Sequence, residues 1–433
     1  METKLVRIAE IARANPETKF TSLYHYMNKE LLQECHRELQ GNKAIGIDGV
    51  TKKEYEENLE QKLDDLVERL KKKSYRPLPA KRVYIPKGDG KEKRPLGIAC
   101  YEDKIVQQGL NKILQAVFEP IFLECSFGFR PQLGCHDALK KLNSVIEKGK
   151  ISYIVDADIK GFFNNVSHEW LIKFMEHTIA DTNMIRLIKR CLKAGIVEGG
   201  NWEETEAGTP QGSIISPVLG NLYLHYTLDL WFTKVVTKKS RGQASMVRYA
   251  DDSVFCFQYK DDAERFYVEL KSRLAKFGLE IAENKTKIIE FGRFAEENRA
   301  RRGMGKTETF DFLGFTHYCG KSRQGKFRVK RKTSRKKYRA KVKEFTQWMK
   351  TNRHSSIHEI FKQVKAKLEG HYRYYGITDN SRMLGKYRYE VTKTIFKWMN
   401  RRSQKRSFDY DRFNKYLKVN PLPIPKIYVN IYG

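Results

Sequence analysis

The residues predict an α+β fold with a helical start and a basic helical end, and three observations carry that prediction. Apolar residues recur at helical spacing through residues 1 to about 75, as in Leu31, Leu32, Cys35, Leu39 and again in Leu59, Leu63, Leu66, Leu70. Short β-prone runs, broken by glycine, proline and charge, then alternate with helical stretches to about residue 318. From Lys321 to Lys350 fourteen Lys and Arg stand against a single acid, Glu344. The expected units are therefore 1–75, 76–318 and 319–433.

Composition narrows the function classes. A chain of 433 residues has room for about two to four domains. Its 83 Lys and Arg against 52 Asp and Glu leave a net charge of +31, so an anionic partner is expected, a nucleic acid first and an anionic membrane surface second. No run of about eighteen apolar residues suggests a membrane span. The segment METKLVRIAEIARANPETKF lacks the apolar stretch of a secretory signal. Seven scattered cysteines without a CxxC pair argue against a zinc ribbon or a disulfide frame and fit a reducing cytoplasm.

Taken in order, Gly46 to Thr51 is a glycine-punctuated turn in which Asp48 or Thr51 can cap the next helix. Arg82 to Pro86 and Arg94 to Ile98 read as a hairpin, its tip and flanks carrying Lys87, Lys91, Lys93 and Arg94. Helices are expected from Glu102 to about Phe122 and from Asp137 to Lys148, with the compact Ser126–Pro131 turn between them. Tyr153 to Ile159 is a strand whose alternation puts Asp156 and Asp158 on one face. Helices follow over 170–179 and 184–193, then the breaker-rich loop Gly208 to Ser213 and a helix over 217–232. Val247 to Phe257 is a hairpin with Asp251 and Asp252 at its turn. A helix over 262–277, short strands at 279–282 and 286–291, a charged mobile loop over 294–307 and a strand or strand pair at 310–316 complete the body. The basic module is expected as helices over 356–375 and 384–402, and the tail from Tyr416 as irregular.

The acids are the chemical signal. Asp is an ordinary turn residue, so Asp251 and Asp252 alone fit a solvated loop equally well. Growing a nucleic acid chain needs two divalent cations about 4 Å apart, and hard carboxylate oxygens suit Mg²⁺. If the strand ending at Asp158 neighbours the hairpin, Asp158, Asp251 and Asp252 converge. An acid embedded in Ile-Val-Asp-Ala-Asp-Ile is costly to bury unless a cation or a base meets it. The basic run, with Lys330, Arg331, Lys332, Arg335, Lys336 and Lys337 interleaved with Phe327 and Tyr338, offers phosphate contacts and stacking faces.

Several blocks in order resemble the group II intron reverse transcriptase and maturase family of bacteria and organelles. They are Lys43–Val50, Arg94–Ile98 with Asp103–Gln108, Ser126–Pro131, Asp158–Phe163, Thr209–Gly212 with Ser216-Pro217, Tyr249–Asp252, and Phe312–Phe315. The resemblance covers nearly the whole chain. It implies a right-hand polymerase fold: an N-terminal extension and the start of the fingers in 1–75, fingers and a palm with an antiparallel sheet in 76–318, and an α-helical thumb or maturase domain in 319–433. It implies that Asp158, Asp251 and Asp252 are catalytic and hold two Mg²⁺ ions, with Mn²⁺ able to substitute. Lys87, Arg94, Phe163, Gln211, Gly212 and Lys285 would bind the incoming deoxynucleoside triphosphate, Phe163 as a gate against a ribose 2′ hydroxyl. Phe312, Leu313, Gly314 and Phe315 would form the primer grip.

The same resemblance implies an RNA-directed DNA polymerase that binds its intron RNA, promotes splicing and copies the RNA into DNA. Its partners would be intron RNA, an RNA template with a DNA primer or target DNA, and deoxynucleotides, in a ribonucleoprotein of the bacterial cytoplasm. Two readings compete: a domesticated relative serving phage defence, CRISPR adaptation or DNA repair, and a maturase that only aids splicing. Ala99-Cys100-Tyr101 departs from the family pattern after Gly97-Ile98, as does Cys135. No paired-cysteine and histidine cluster follows the thumb, so an HNH endonuclease domain is not expected.

Overall fold

The computed structural model describes residues 2–87, 92–402 and 408–432. It opens with α1 (Glu2–Ala14), α2 (Lys29–Glu38), α3 (Lys52–Glu56) and α4 (Leu59–Lys71). Asn28 caps α2 by accepting from the Leu31 N–H, and it is Thr51, not Asp48, that caps α3, in a reciprocal box with Glu54. The expected stripes Leu31, Leu32, Cys35 and Leu63, Leu66, Leu70 are buried.

The fingers hairpin pairs β1 (Ala80–Lys87) with β2 (Glu92–Ile98), and its tip, Gly88 to Lys91, lies outside the described residues. Helix α5 (Tyr101–Phe118) then packs on α1 and α2, and α6 (Cys135–Lys148) leads to β3 (Tyr153–Asp158). After α7 (His168–Glu176) and α8 (Thr182–Leu192) comes a hairpin the sequence did not suggest, β4 (Ile196–Glu198) and β5 (Asn201–Glu203). It joins the fingers sheet in the order β2-β1-β4-β5, with β1 and β4 parallel.

Helix α9 (Ser216–Leu224) starts from Pro217 in its first turn and runs through π-helical turns at His225–Asp229 and Phe232–Val236 into α10 (Thr237–Lys239). It is followed by β6 (Ala244–Tyr249), β7 (Asp252–Phe257), α11 (Lys260–Ala275) and β8 (Lys287–Glu290). The palm sheet is wholly antiparallel, in the order β6-β7-β3-β8. Residues 279–282 form a single bridge, Ile159 to Ile281, rather than a strand.

Strand alternation divides the core in two. Val155, Ala157, Phe255 and Phe257 pack with the helices on one face of the palm sheet. Ile154, Val247, Val254 and Cys256 pack on the other, with α6 and the C-terminal module. Asp156, Asp158 and Asp252 share the parity of this second face, so the acids look toward the C-terminal module.

That module is only partly helical. The stretch 294–307, expected as a mobile loop, holds α12 (Ala295–Arg301), anchored by buried Ala295 and by ion pairs from Arg299 and Arg302 to Glu290. A three-stranded sheet follows: β9 (Phe310–Phe312), β10 (Phe315–Lys321) and β11 (Phe327–Thr333). The cluster Lys330–Lys332 therefore lies on a strand, where alternation turns one side chain in and the next out. Helices α13 (Arg335–Asn352), α14 (Ile357–Tyr375), α15 (Ser381–Met399) and α16 (Tyr410–Val419) complete it, α13 and α14 capped by Ser334 and Ser356. The tail is irregular beyond Val419, yet Val429 bridges to Ile377, and Leu422 and Ile431 are buried. Among the described residues no helix is long and apolar enough to cross a membrane.

Candidate active site

The hairpin β6–β7 turns on Ala250 and Asp251, with Tyr249 opposite Asp252. Ala250 adopts φ +57°, a left-handed conformation that costs a non-glycine residue about 1–2 kcal/mol. On the far side of β7, Asp252 stands directly opposite Asp158 of β3. The strands are neighbours, and Asp158, Asp251 and Asp252 come together at one end of the palm sheet.

Asp251 and Asp252 are short of positive charge. Burial pushes the Asp252 carboxyl up to about 8, and the charges of Asp156, Asp251 and Asp158 add to it, against a hydrogen bond from the Leu313 N–H. Burial also raises Asp251, with Asp158 adding and Arg94 opposing. Asp156, on the same face, is pushed up to about 7 by burial, then by Asp311 and Asp158. Lys285 donates to Asp158 Oδ2 at 2.7 Å. Among the described residues no group of three His, Cys, Asp or Glu is already drawn around one point that would hold a metal ion. The donor set still fits a hard cation: clustered carboxylates, of which Asp251 and Asp252 have charged forms disfavoured by burial.

Asp251 and Asp252 open into a cleft of about 910 Å³. Arg94 of β2 lines it with Asp251 and Asp252, as do Leu313 and Gly314, and Lys337, Lys341, Trp348, Lys367, His371 and Tyr374 form its C-terminal wall. Leu313 and Gly314, at φ +49° and +81°, make a two-residue turn between β9 and β10. Phe312 and Phe315 on either side of that turn are buried in the core. Tyr374 donates to the Leu313 carbonyl at 2.9 Å. Lys87 ends β1, and its side chain lies outside the described residues.

Phe163, Gln211 and Gly97 meet in a separate cavity of about 260 Å³, bordered also by Arg82, Pro95 and Thr209. The loop 208–213 is clasped from both sides. The Thr209 N–H donates to the Phe163 carbonyl at 2.7 Å, and the Gly97 N–H to the Gln211 carbonyl at 2.7 Å. Gly212, at φ +105°, lies so close to Gly97 that a Cβ would stand 2.8 Å from its carbonyl oxygen. Gln107 of α5, buried, accepts from Ser213 Oγ at 3.0 Å and from the Ile214 N–H at 3.1 Å.

The basic cluster divides. Arg331 is not a nucleic acid contact: it is fully buried, donating to the Val329 carbonyl and to Asn143 Oδ1. Its place on β11 between exposed Lys332 and half-buried Lys330 follows from strand parity. Lys332, Arg335 and Tyr338 line a groove of about 740 Å³ with Arg339, Lys386 and Tyr389, whereas Lys337 faces the cleft of the acids. Lys336 is exposed. The sequence reading also passed over Arg248 and Asp229, which form an ion pair with both side chains fully buried beneath the acidic turn. An arginine inside the apolar run of β6 was the available signal.

Comparison with known proteins shows what the chain is similar to. A family model described as reverse transcriptase (RNA-dependent DNA polymerase) matches residues 85–317, more than half of the chain. The group II intron-encoded protein LtrA of Lactococcus lactis subsp. cremoris is 38% identical over 238 residues, 55% of this chain and 39% of LtrA. Protein YkfC of Escherichia coli K12 is 29% identical over 357 residues, 75% of this chain and 90% of that protein. A telomerase from Candida albicans, solved with a fragment of telomeric RNA, superposes with a TM-score of 0.47 at 12% identity, over 85% of this chain and 65% of that one. The chain thus spans about two-fifths of the length of LtrA. It has the right-hand polymerase fold and belongs to the reverse transcriptase family, and in sequence it is similar to a group II intron-encoded protein.

Proposed function

We propose that this chain is an RNA-directed DNA polymerase of a group II intron that also binds the intron RNA. The observation that carries the reading is the meeting of Asp158, Asp251 and Asp252 where β3 and β7 pair, with burial disfavouring the charge of Asp251 and Asp252, which line a cleft walled by Arg94 and lysines of the C-terminal module. In this reading 1–75 is the N-terminal extension and start of the fingers, 76–318 the rest of the fingers and palm, and 319–433 the thumb.

Two Mg²⁺ ions, when bound, would activate the primer 3′ hydroxyl and offset charge on the triphosphate. Asp158, Asp251 and Asp252 would hold them. Arg94 and Lys87 grip the triphosphate as a planar fork and a point charge. Phe163 stands under the sugar and excludes a 2′ hydroxyl, its position set by the loop that carries Gln211 and Gly212. The Leu313-Gly314 turn brings backbone close to the primer end, and its N–H orients Asp252. Lys337, Lys341 and Lys367 follow the product duplex. The groove of Lys332, Arg335 and Tyr338, with exposed Lys336, takes intron RNA by phosphate contact and stacking.

Primer extension on an RNA template with deoxynucleotides and Mg²⁺ tests the reading. Full-length DNA is expected from the unaltered chain and none from the Asp251→Ala, Asp252→Ala double variant; normal synthesis by that variant would sink the assignment.

A further inference from the structure

We propose that Arg248 is a positioning residue for the acidic turn, and that it sets how readily Asp251 and Asp252 take a divalent cation. The inference rests on the reading of those acids as metal ligands.

Strand parity separates Arg248 from the acids: Tyr249 packs on the thumb side of the sheet, so Arg248 points to the helical side, beneath the turn. There all five of its donors are used. Nε and Nη2 bind the two carboxylate oxygens of Asp229 at 2.7 and 2.6 Å. Nη1 donates to Asn221 Oδ1 at 3.1 Å and Nη2 to Ser126 Oγ at 2.7 Å. The remaining Nη1 donor holds the Ala250 carbonyl at 2.9 Å.

That last bond is the one with consequence. The Ala250 carbonyl belongs to the peptide that carries the Asp251 N–H, so fixing its plane fixes the direction in which Asp251 leaves the turn. Ala250 is in a left-handed conformation, which persists only where the surroundings hold it. Two neighbours do so. Arg248 grips its carbonyl, and Gly128 presses on its nitrogen so closely that a Cβ would stand 2.2 Å away. Asn221 ties the two together, donating to the Gly128 carbonyl at 2.7 Å while accepting from Arg248.

The chemistry of the pair fits this task better than it fits packing. An apolar pair of similar volume would fill the space without desolvating two charges, but it would hold no carbonyl. Asp229 sits in the π-helical turn His225–Asp229, a local irregularity of a kind frequent at functional sites. Its negative charge offsets that of Arg248, whose remaining pull on Asp251 is smaller than that of Arg94, so the acids gain a rigid support with little cation competing for them.

The test is Mn²⁺ binding to the full chain, read by electron paramagnetic resonance without nucleotides, beside the melting temperature in EDTA. Arg248→Lys keeps the charge and loses the fork. It is expected to weaken Mn²⁺ binding about 10- to 100-fold, as loss of a partner behind a metal ligand does. Ser126→Ala removes one bond of five and is expected to weaken it about two- to tenfold. In primer extension both variants should regain rate at high Mn²⁺, which a loss of folded protein would not allow. Unchanged Mn²⁺ affinity in Arg248→Lys overturns the proposal, whatever its melting temperature. Should that variant fail to fold, unchanged affinity in Ser126→Ala overturns it. Asp251→Ala with Asp252→Ala is the control. If that variant binds Mn²⁺ normally, the metal-ligand reading itself fails and the proposal goes with it.

Discussion

Lys285 donates from its ammonium group to Asp158 Oδ2 at 2.7 Å, so a lysine already stands at one of the three acids expected to hold metal. Both side chains are well exposed, 59% and 40%, and a pair so placed contributes about 0–1 kcal/mol. It is weak enough for a divalent ion to displace. Lys285→Ala should leave the melting temperature almost unchanged and tighten Mn²⁺ binding by up to about fivefold, the equivalent of about 1 kcal/mol. Nucleotide incorporation should move the other way, kcat/KM falling about 10- to 100-fold, because a bond from a charged donor to the triphosphate is lost. Weaker Mn²⁺ binding by the variant would show that the lysine supports the ion rather than competing with it.

The buried acids also predict how stability follows pH without metal. Asp252 and Asp156 sit at about 8 and about 7, and Asp251 is raised, burial being the first cause in each. The unfolded chain releases these protons near pH 4. The folded chain keeps them, so the stability they contribute is full below about pH 4 and is lost as pH rises through 7 to 8. His225 and His371, pulled down to about 4 by burial, act oppositely and remove stability as pH falls below about 6.5. The window of the acids is therefore about pH 6.5 to 8.5. In EDTA the melting temperature should fall across it, and Asp252→Asn should flatten the fall. Adding Mg²⁺ at pH 7 should release protons, since ligation needs the carboxylates ionised. A flat melting curve in the unaltered chain would contradict the charge arrangement.

Much of this site was legible in the residues because the signals were local. Asp158 at a strand end, the acids at a hairpin turn and the breaker-rich loop 208–213 each follow from turn chemistry and alternation, and β3 and β7 do pair. What stayed hidden depended on distant partners. The run Lys330-Arg331-Lys332 looks uniformly basic, yet on a strand its middle member points inward to Asn143, 188 residues earlier. The stretch 294–307 looks loop-like by charge, yet Glu290 pairs with Arg299 and Arg302 beside a helix. The hairpin β4–β5 is three residues a side and gives no periodicity to read.

Phe163 is expected to select deoxynucleotides, and its surroundings say how to perturb it. The ring lies edge-on to Phe162 at 5.0 Å and against the Cα of Gly220. Phe163→Val removes the ring and should raise ribonucleotide incorporation about 10- to 200-fold relative to deoxynucleotide, the range that one apolar steric contact discriminates. A Cβ on Gly220 would stand 3.1 Å from Phe163 and 3.2 Å from Phe162. Gly220→Ala should therefore shift the gate from behind and change the same ratio without touching the gate residue. Competition assays with the two sugars measure both, and an unchanged ratio in Phe163→Val would leave the ring a packing residue.

The basic module separates by burial. Arg335 and Lys336 are exposed while Arg331 has no exposure. Arg335→Ala and Lys336→Ala should each reduce the slope of log affinity for intron RNA against log salt by about one. Arg331→Ala should leave that slope unchanged and lower stability by about 1–3 kcal/mol, because Asn143 loses its buried donor. Filter binding across a salt series, with chemical denaturation alongside, distinguishes the two. A changed slope for Arg331→Ala would mean that β11 opens to admit RNA.

The turn at Leu313 and Gly314 brings a backbone hydrogen bond to Asp252, one of the proposed metal ligands. Both residues have positive φ, and a Cβ on Gly314 would stand 3.2 Å from the Tyr375 hydroxyl. Gly314→Ala therefore meets a backbone cost of about 1–2 kcal/mol and a side-chain clash at once. The turn can relieve both by rotating, and that moves the Leu313 N–H away from Asp252, whose carboxylate it steadies. Without that bond the Asp252 carboxyl rises further, so more Mg²⁺ or a higher pH is needed to ionise it. The pH profile of primer extension should shift alkaline in Gly314→Ala, with a modest drop in melting temperature. Leu313→Gly relieves strain at the neighbouring position and keeps the N–H, so its profile should stay where the unaltered chain has it. If the two variants shift alike, the turn acts through its shape on the primer and not through its bond to Asp252.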